Sequence, residues 1–506
     1  MKIPFKNEFD AIIKNGKATT PKEKLILAGV ATVACLIVML NVTASLILYF
    51  AAIYLLWSRL SPRLSEILES HQWKIAIGLP LLMFAGFLVA REPMALDDLL
   101  RNILVGNHYS FHYRLMYPLA DVPAFDQYWG FDHVLAVIEA ALSPIIVMHL
   151  VQAFVFCSMA AIVTLVAKQL TEGKDNAAYW ACIVLTAALS MSSFRMILGR
   201  PEIIFSVWAI ASILVSNCRR LVVWTLVGCA FSTGYWLAFI YFIAVVATNV
   251  RIKDKILSLL ALGMFHALFW LGMFGMEYVD SLLWLPQVLK QQILPVGENE
   301  GVEHAFSVVS SPYSFLFIAA LGLATIGCIT RPSRQTLYIA VLALFFIASN
   351  QVRYIGIIGP LLALLALSAW KNDLPPLNSM LKMTIVFICS TILITTAYIM
   401  PSVKNTPDFK IPANSLVIGD MSASYMIMFF NPGIQTGMSF AYGAQSKEIQ
   451  KLAADINSGD ADKLDCNLLR SQHFTHVVEK TFSAKPVECL KFEEAKNSWR
   501  LWKVTQ

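Results

Sequence analysis

From residue 25 to residue 400 the chain is a succession of apolar runs, most of them roughly 17–20 residues long and able to cross about 30 Å of hydrocarbon as a helix. A water-soluble core has no use for so many. Only 14% of the 506 residues are charged and 57% are hydrophobic, against about 25% charged in soluble globular proteins. Two short spans are expected within 25–57, turning near Leu40–Asn41, and others at 74–90, 145–167, 176–194, 202–217, 256–275, 311–330, 335–349, 355–370 and 382–400. Residues 221–249 read as a tight pair whose only break is Ser232-Thr233-Gly234; one span or a re-entrant loop fits them too. The total is about 13 transmembrane helices in a mainly α, polytopic membrane domain over residues 1–400. The first 24 residues carry six lysines, with Phe5, Phe9, Ile12 and Ile13 at helical spacing, which suits an amphipathic helix on the cytoplasmic leaflet. No cleavable signal peptide is expected.

Charge orients this map. With the N-terminus inside, the inner segments hold about 20 Lys and Arg and the outer ones about seven (Arg91, Arg101, Arg114, Arg195, Arg200, Lys290 and Arg353), the bias that short cytoplasmic loops produce. The net charge of +6 is spread among loops, so it marks the inner membrane surface and implies no nucleic acid. An odd number of spans puts residues 401–506 outside. Their composition is that of a small soluble α/β domain, with strands at 417–420, 476–480 and 499–504 and a helix at 446–456. Seven of the nine cysteines lie in or beside apolar spans. The other two, Cys466 and Cys489, would be free to pair in an oxidising compartment.

One stretch is out of keeping with its surroundings. Residues 91–144 form the first external loop, and its part from Arg91 to Asp132 gathers acids, arginines and aromatics beside an apolar run. The adjacent Asp97 and Asp98 suit a general base and a helper: one carboxylate takes a proton from an attacking hydroxyl, while the second raises its pKa or holds the acceptor. Asp97 also suits a cap for the helix DDLLRNIL, though two adjacent acids match a base better. Asp121, Asp126 and Asp132 follow, among Tyr117, Phe125, Tyr128, Trp129 and Phe131. Such a set would bind a sugar by its hydroxyls and C–H faces, or, for the aromatics, form an interfacial belt. His108 and His112, four apart, read as loop contacts to substrate more readily than as a metal pair. On the same side, GRPE at 199–202 opens a span with a cap made by Pro201 and Glu202. The cap does not explain Arg200. NQVRYIG at 350–356 brings Arg353 and Tyr354 to the outer end of another span. A guanidinium matches a phosphate through its fork of donors; snorkelling to the interface is the alternative. Residues 277–310 form a second, longer external loop. No Walker-type or dinucleotide-type glycine loop, CxxC or HExxH is present, so no cofactor is expected. A divalent metal is not indicated.

LDDLL at 96–100, WGFD at 129–132, GRPE at 199–202 and NQVRY at 350–354, with about 13 spans and a C-terminal external domain, resemble the GT-C superfamily of membrane glycosyltransferases. The resemblance implies a polyprenyl-phosphate sugar donor attacked with inversion by a hydroxyl of a glycan, lipid or protein acceptor, in a bacterial inner membrane with the C-terminal domain periplasmic. By position it makes Asp97 the base, supported by Asp98 and Asp132. It makes Arg353, with Arg200 and Tyr354, the holders of the donor phosphate. Glu202, Asp126, Trp129, His108 and His112 would contact substrate, and 277–310 would gate entry. No WWDYG-like segment occurs in the tail, which points away from the oligosaccharyltransferase branch and toward arabinosyl, aminoarabinose or protein mannosyl transferases. An O-antigen ligase or polymerase would carry its largest external loop between late spans and lack a soluble tail. A lipid or solute transporter would show paired halves and polar residues inside spans.

Overall fold

The computed structural model describes residues 66–91, 98–120, 128–199, 201–215, 219–224, 250–279, 314–348, 355–400, 406–419, 421–438, 446–459, 463–480 and 487–505, and for Asp98, Trp129 and Glu202 it describes the backbone alone. Helices α1 (Leu79–Arg91, entered through a π-helical segment Lys74–Gly78), α2 (Asp98–Tyr109), α3 (Tyr113–Met116), α4 (Trp129–Glu139), α5 (Pro144–Leu170) and α6 (Ala177–Ile197) are followed by α7 (Pro201–Ala211), α8 (Ile252–Phe274), α9 (Ser314–Thr330), α10 (Arg334–Ala348), α11 (Ile355–Trp370) and α12 (Ser379–Ile399). Among the described residues four helices are long and apolar enough to cross a membrane: Lys74–Arg91, Pro144–Leu170, Ile252–Phe274 and Ser379–Ile399. Shorter apolar helices stand with them, and the chain is a multi-pass membrane protein. The spans expected in 25–57, and all but the first turn of the pair expected in 221–249, lie outside the described residues.

Helix α5 shows how each span divides its faces. It starts at Pro144, where a missing N–H costs nothing, and its 27 residues rise about 40 Å. Val147, Val151, Val155, Met159, Val163 and Val166 are buried, while Ile146, Leu150, Phe154 and Leu165 are exposed on another face, the lipid side. Helices α6 and α11 have little such lipid face and form the centre of the bundle, packed on each other and on α5, α9, α10 and α12. Lipid tails are as apolar as leucine, so burial alone does not bring these helices together; small residues and interhelical hydrogen bonds do. A Cβ on Gly359 would lie 2.8 Å from that of Met191. Thr396 Oγ1 donates to Ser190 Oγ at 3.1 Å, and the hydroxyls of Thr336 and Ser368 meet at 3.0 Å. Gln152 Nε2 donates to the Ile197 carbonyl at 2.9 Å, satisfying an acceptor at the end of α6.

The span expected at 202–217 is shorter than its sequence promised. Helix α7 ends at Ala211 and a 3-10 turn carries it to Leu214, after which Val215 is extended. The chain then folds back, because the Trp208 and Trp224 rings stack at 5.6 Å. Each indole donates to the other's backbone carbonyl, at 3.0 and 3.3 Å.

The C-terminal residues build a sheet of order β2-β1-β3-β5-β4 from β1 (Leu416–Ile418), β2 (Gln435–Thr436), β3 (His476–Glu479), β4 (Leu490–Lys496) and β5 (Trp499–Val504). Parallel β2-β1-β3 pairing changes to antiparallel β3-β5-β4. Helix α13 (Met421–Phe430) follows β1, and α14 (Lys447–Ser458) and α15 (Cys466–Ser471) precede β3. Ser446 caps α14 through the Ile449 N–H, and Asp465 caps α15 through that of Leu468. The sheet has two cores. Ile418, Val477 and Trp502 pack with Leu452 and Ile456 of α14 in one. Val417, Val478, Trp499 and Leu501 join α13 in a core continuous with the helical bundle.

Cys466 and Cys489 form a disulfide with Cα atoms 5.6 Å apart, closing a 23-residue separation. Replacing Cys466 by serine is expected to destabilise the C-terminal sheet by about 3 kcal/mol in the chain-entropy account. Limited proteolysis or denaturant unfolding of the purified protein measures this, and unaltered resistance would mean that the crosslink contributes nothing.

Candidate functional site

The acidic stretch folds against the bundle rather than standing away from it. Leu99, Leu100, Arg101, Asn102, Ile103, Leu104 and Val105 of α2 are all buried, a helix enclosed on every side by α4, α5 and α13. Helix α4 approaches at a glycine: a Cβ on Gly106 would lie 2.5 Å from that of Ala136. Just beyond, Asn107 Nδ2 donates to the Ala136 carbonyl at 2.8 Å and also to Glu139, whose other oxygen is 3.2 Å from His108 Nε2. The two helices therefore run side by side in the same direction.

Each of the two helices carries a buried charge. Asp132 is 0% exposed and Arg101 1%. The Arg101 guanidinium lies 5.2 Å from the centre of the Tyr113 ring and donates through Nε and Nη2 to Asn102 Oδ1 at 3.2 and 3.0 Å. Withdrawing one ion from water costs several kcal/mol even after relaxation. For Arg101 part of that cost is offset by its bonds to Asn102 and its place beside the Tyr113 ring.

Two more glycines bring the other motif-bearing segments alongside. Gly199 has φ +58°, and a Cβ there would be 2.5 Å from Leu99 Cδ2, so the turn leading into GRPE touches the first turn of α2. A Cβ on Gly356 would collide with the Ile203 side chain and lie 3.3 Å from Arg195 Cβ. The start of α11, just after NQVRY, thus packs on the start of α7 and the last turn of α6. Asp98 is the first residue of α2, Trp129 the first of α4 and Glu202 the second of α7. Asp97, Asp126, Arg200, Arg353 and Tyr354 lie outside the described residues, and so does 280–313, most of the external loop expected over 277–310.

Two expectations change, and His108 and His112 lie on different segments, because Ser110 and Phe111 have positive φ (49° and 61°) and α2 stops at Tyr109. His108 engages Glu139, whereas His112 Nδ1 is 2.6 Å from the Ser110 carbonyl and its Nε2 3.9 Å from Glu277. Tyr117 and Phe131 are buried, so they pack in the interior and form neither a sugar platform nor an interfacial belt. Arg101, read only as one of the outer-loop cations, is the buried cation of the site. Its position three residues after Asp98 on one helical face was the signal available. Among the described residues, no three His, Cys, Asp or Glu side chains come together as metal ligands would.

The C-terminal residues support α2 from the other side. The Tyr109 hydroxyl donates to the Ile434 carbonyl, and burial pushes that phenol well above its usual range. Gln435 Nε2 donates to the Leu115 carbonyl at 3.2 Å. Gly106→Ala is expected to force α2 and α4 apart, since neither Cβ can yield, at a cost of about 1–3 kcal/mol. A thermal unfolding midpoint equal to that of the unaltered protein would contradict so close an approach.

No protein-family model and no curated protein matches the sequence. Two solved structures of the archaeal oligosaccharyltransferase of Archaeoglobus fulgidus are similar to it. One, tethered by a disulfide to an acceptor peptide containing an NVT sequon, is 10% identical, with a TM-score of 0.48 over 82% of this chain and 70% of that one. The other, in complex with an inhibitory peptide and a dolichol-phosphate, is 9% identical, with a TM-score of 0.49 over the same shares. Both are oligosaccharyltransferases, the branch from which the missing WWDYG-like segment points away. Scores below 0.5 leave function to be argued from this chain's own residues.

Proposed function

We propose that this chain is an integral-membrane glycosyltransferase that moves a sugar from a polyprenyl-phosphate donor to a hydroxyl acceptor on the extracytoplasmic face. The observation that carries the reading is the meeting of three segments. Leu99 beside the Asp97–Asp98 pair, Gly199 beside Arg200, and Gly356 beside Arg353 and Tyr354 are linked by close glycine contacts. These contacts bring described residues that neighbour the three motifs in sequence toward one another despite their wide separation along the chain, which supports a shared site.

The reaction needs little more. Asp97 accepts the proton of the acceptor hydroxyl as its oxygen bonds to the anomeric carbon. The bond from that carbon to the phosphate oxygen breaks on the opposite face, which inverts the configuration. The departing phosphate takes the electron pair, and its charge is met by Arg353 and Arg200 through charge-assisted hydrogen bonds, with Tyr354 as a further donor. Asp98 and Asp132 hold the base and the acceptor. Glu202, Asp126, Trp129, His108 and His112 line the way in, and 277–310 closes over it. The acceptor is a glycan, lipid or protein hydroxyl.

Sidedness rests on two independent features. Lysine and arginine are about three times as numerous in the assigned inner segments as in the outer loops between spans, and a disulfide of the kind at Cys466–Cys489 persists in oxidising compartments. The membrane assigned is a bacterial inner membrane with residues 401–506 periplasmic.

Asp97→Asn is expected to leave folding intact and abolish transfer from a polyprenyl-phosphate sugar, a loss of at least 100-fold for a general base. Arg353→Ala is expected to weaken donor binding more than acceptor binding. Near-normal turnover in the first variant, or unchanged donor affinity in the second, would remove that residue from its role. A cysteine at the exposed Arg114 should react with an impermeant thiol reagent in intact cells; labelling only after lysis would invert the topology and overturn the scheme.

A further inference from the structure

Helix α4 is amphipathic in the wrong sense for a loop in water. Its two acids are withdrawn: Asp132 is 0% exposed, and the Glu139 side chain, 10% exposed, is bonded to Asn107 and, at 3.2 Å, to His108. Its valines are displayed instead. Val134 is 44% exposed and Val137 63%, and their spacing of three puts them on one face. His133, also exposed, rests against the Phe111 ring with centres 5.7 Å apart. A helix at the surface of a soluble protein turns its apolar stripe inward and its charges to water. The medium that favours the reverse order is hydrocarbon.

The same apolar surface continues past the end of the helix. Leu142 is exposed in the turn 140–143, and α5 opens with Ile145 and Ile146 exposed above Leu150, on the lipid side of that helix. From residue 140 to residue 167 there is no Asp, Glu, Lys or Arg. Depth can be counted from the far end of α5. Lys168, in its last turn, holds its Nζ 5.7 Å from the centre of the Trp73 ring, and lysine and tryptophan together mark a membrane–water interface. From Lys168 back to Pro144 the helix rises about 36 Å, against about 30 Å of hydrocarbon. Pro144 therefore stands about 6 Å beyond the opposite hydrocarbon edge, and less if α5 tilts. The short turn keeps the end of α4 beside it.

We propose that α4 is an interfacial helix: Val134 and Val137, continued by Leu142, Ile145 and Ile146, dock into the headgroup–acyl boundary of the leaflet at the Pro144 end of α5. The partner is the phospholipid of that leaflet. A second copy of the chain, to be held there within lipid, needs small residues or hydrogen-bonding groups on the contact face, and α4 presents branched valines. Interfacial helices sink their apolar face about 5–10 Å into this boundary. The contact also sets the height of α2, which is pinned to α4 at Gly106 and through Asn107. It depends neither on the transfer reaction nor on which compartment this end of the bundle faces.

The test uses the full-length protein with the photoreactive residue benzoylphenylalanine in place of Val137, reconstituted in vesicles of phosphatidylethanolamine and phosphatidylglycerol, irradiated and analysed by mass spectrometry. A phospholipid adduct is expected at that position, at least tenfold more abundant than with the probe at Lys451, an exposed residue of α14 on the side of the C-terminal sheet away from the bundle. A crosslink to a second copy, or to another segment of the same chain, would assign the face to protein and overturn the proposal. So would a lipid yield no higher than at Lys451. Should the Val137 replacement not fold, the probe at Leu142 is expected to give the same adduct, and its failure to do so would count equally against the proposal.

Discussion

Close approach at glycine is the constraint on which the rest of this protein depends. Within a bilayer the helices gain nothing from hiding leucine from lipid, so contact has to come from backbones that fit against one another. Gly106 against Ala136, Gly199 against Leu99, Gly356 against Ile203 and Gly359 against Met191 form a chain of such contacts from α4 through α2 and the α6–α7 turn to α11. A methyl group at any of these positions meets an atom already there. Two of the motif-bearing segments, GRPE and NQVRYIG, begin or end at one of its glycines.

The frame explains why so polar a stretch can lie among membrane helices. Arg101 and Asp132 are enclosed on helices α2 and α4, which are fixed to each other by Gly106 and by the Asn107, His108 and Glu139 hydrogen bonds. In that dry setting an electrostatic interaction is several times stronger than in water. Charges there hold geometry.

The sequence made the spans legible where apolar runs were long and uninterrupted. Helices α5 and α12 come within a few residues of their expected bounds, and β5 coincides with the segment 499–504. It was less informative where tertiary contacts decide. Strand β4 escaped because only Leu490 of its seven residues is buried, so as an edge strand it shows no alternation. The turn at Ser110 and Phe111 uses left-handed conformations at residues that rarely adopt them, and a four-residue histidine spacing could not reveal it. Arg101 was grouped with the loop cations because burial of a guanidinium depends on Asn102, Tyr113 and a neighbouring helix. The glycine contacts, which join the motifs, leave no local trace in sequence.

The continuous core beneath the C-terminal sheet has a mechanical consequence. Val417, Val478, Trp499 and Leu501 belong to the same packed body as the membrane helices, and Tyr109 and Gln435 tie that sheet to α2 and to the turn after it. The layer therefore acts as a buttress and not as a hinged lid. A pull on its outer strands is therefore carried to the helix that begins at Asp98, more than 300 residues away in sequence.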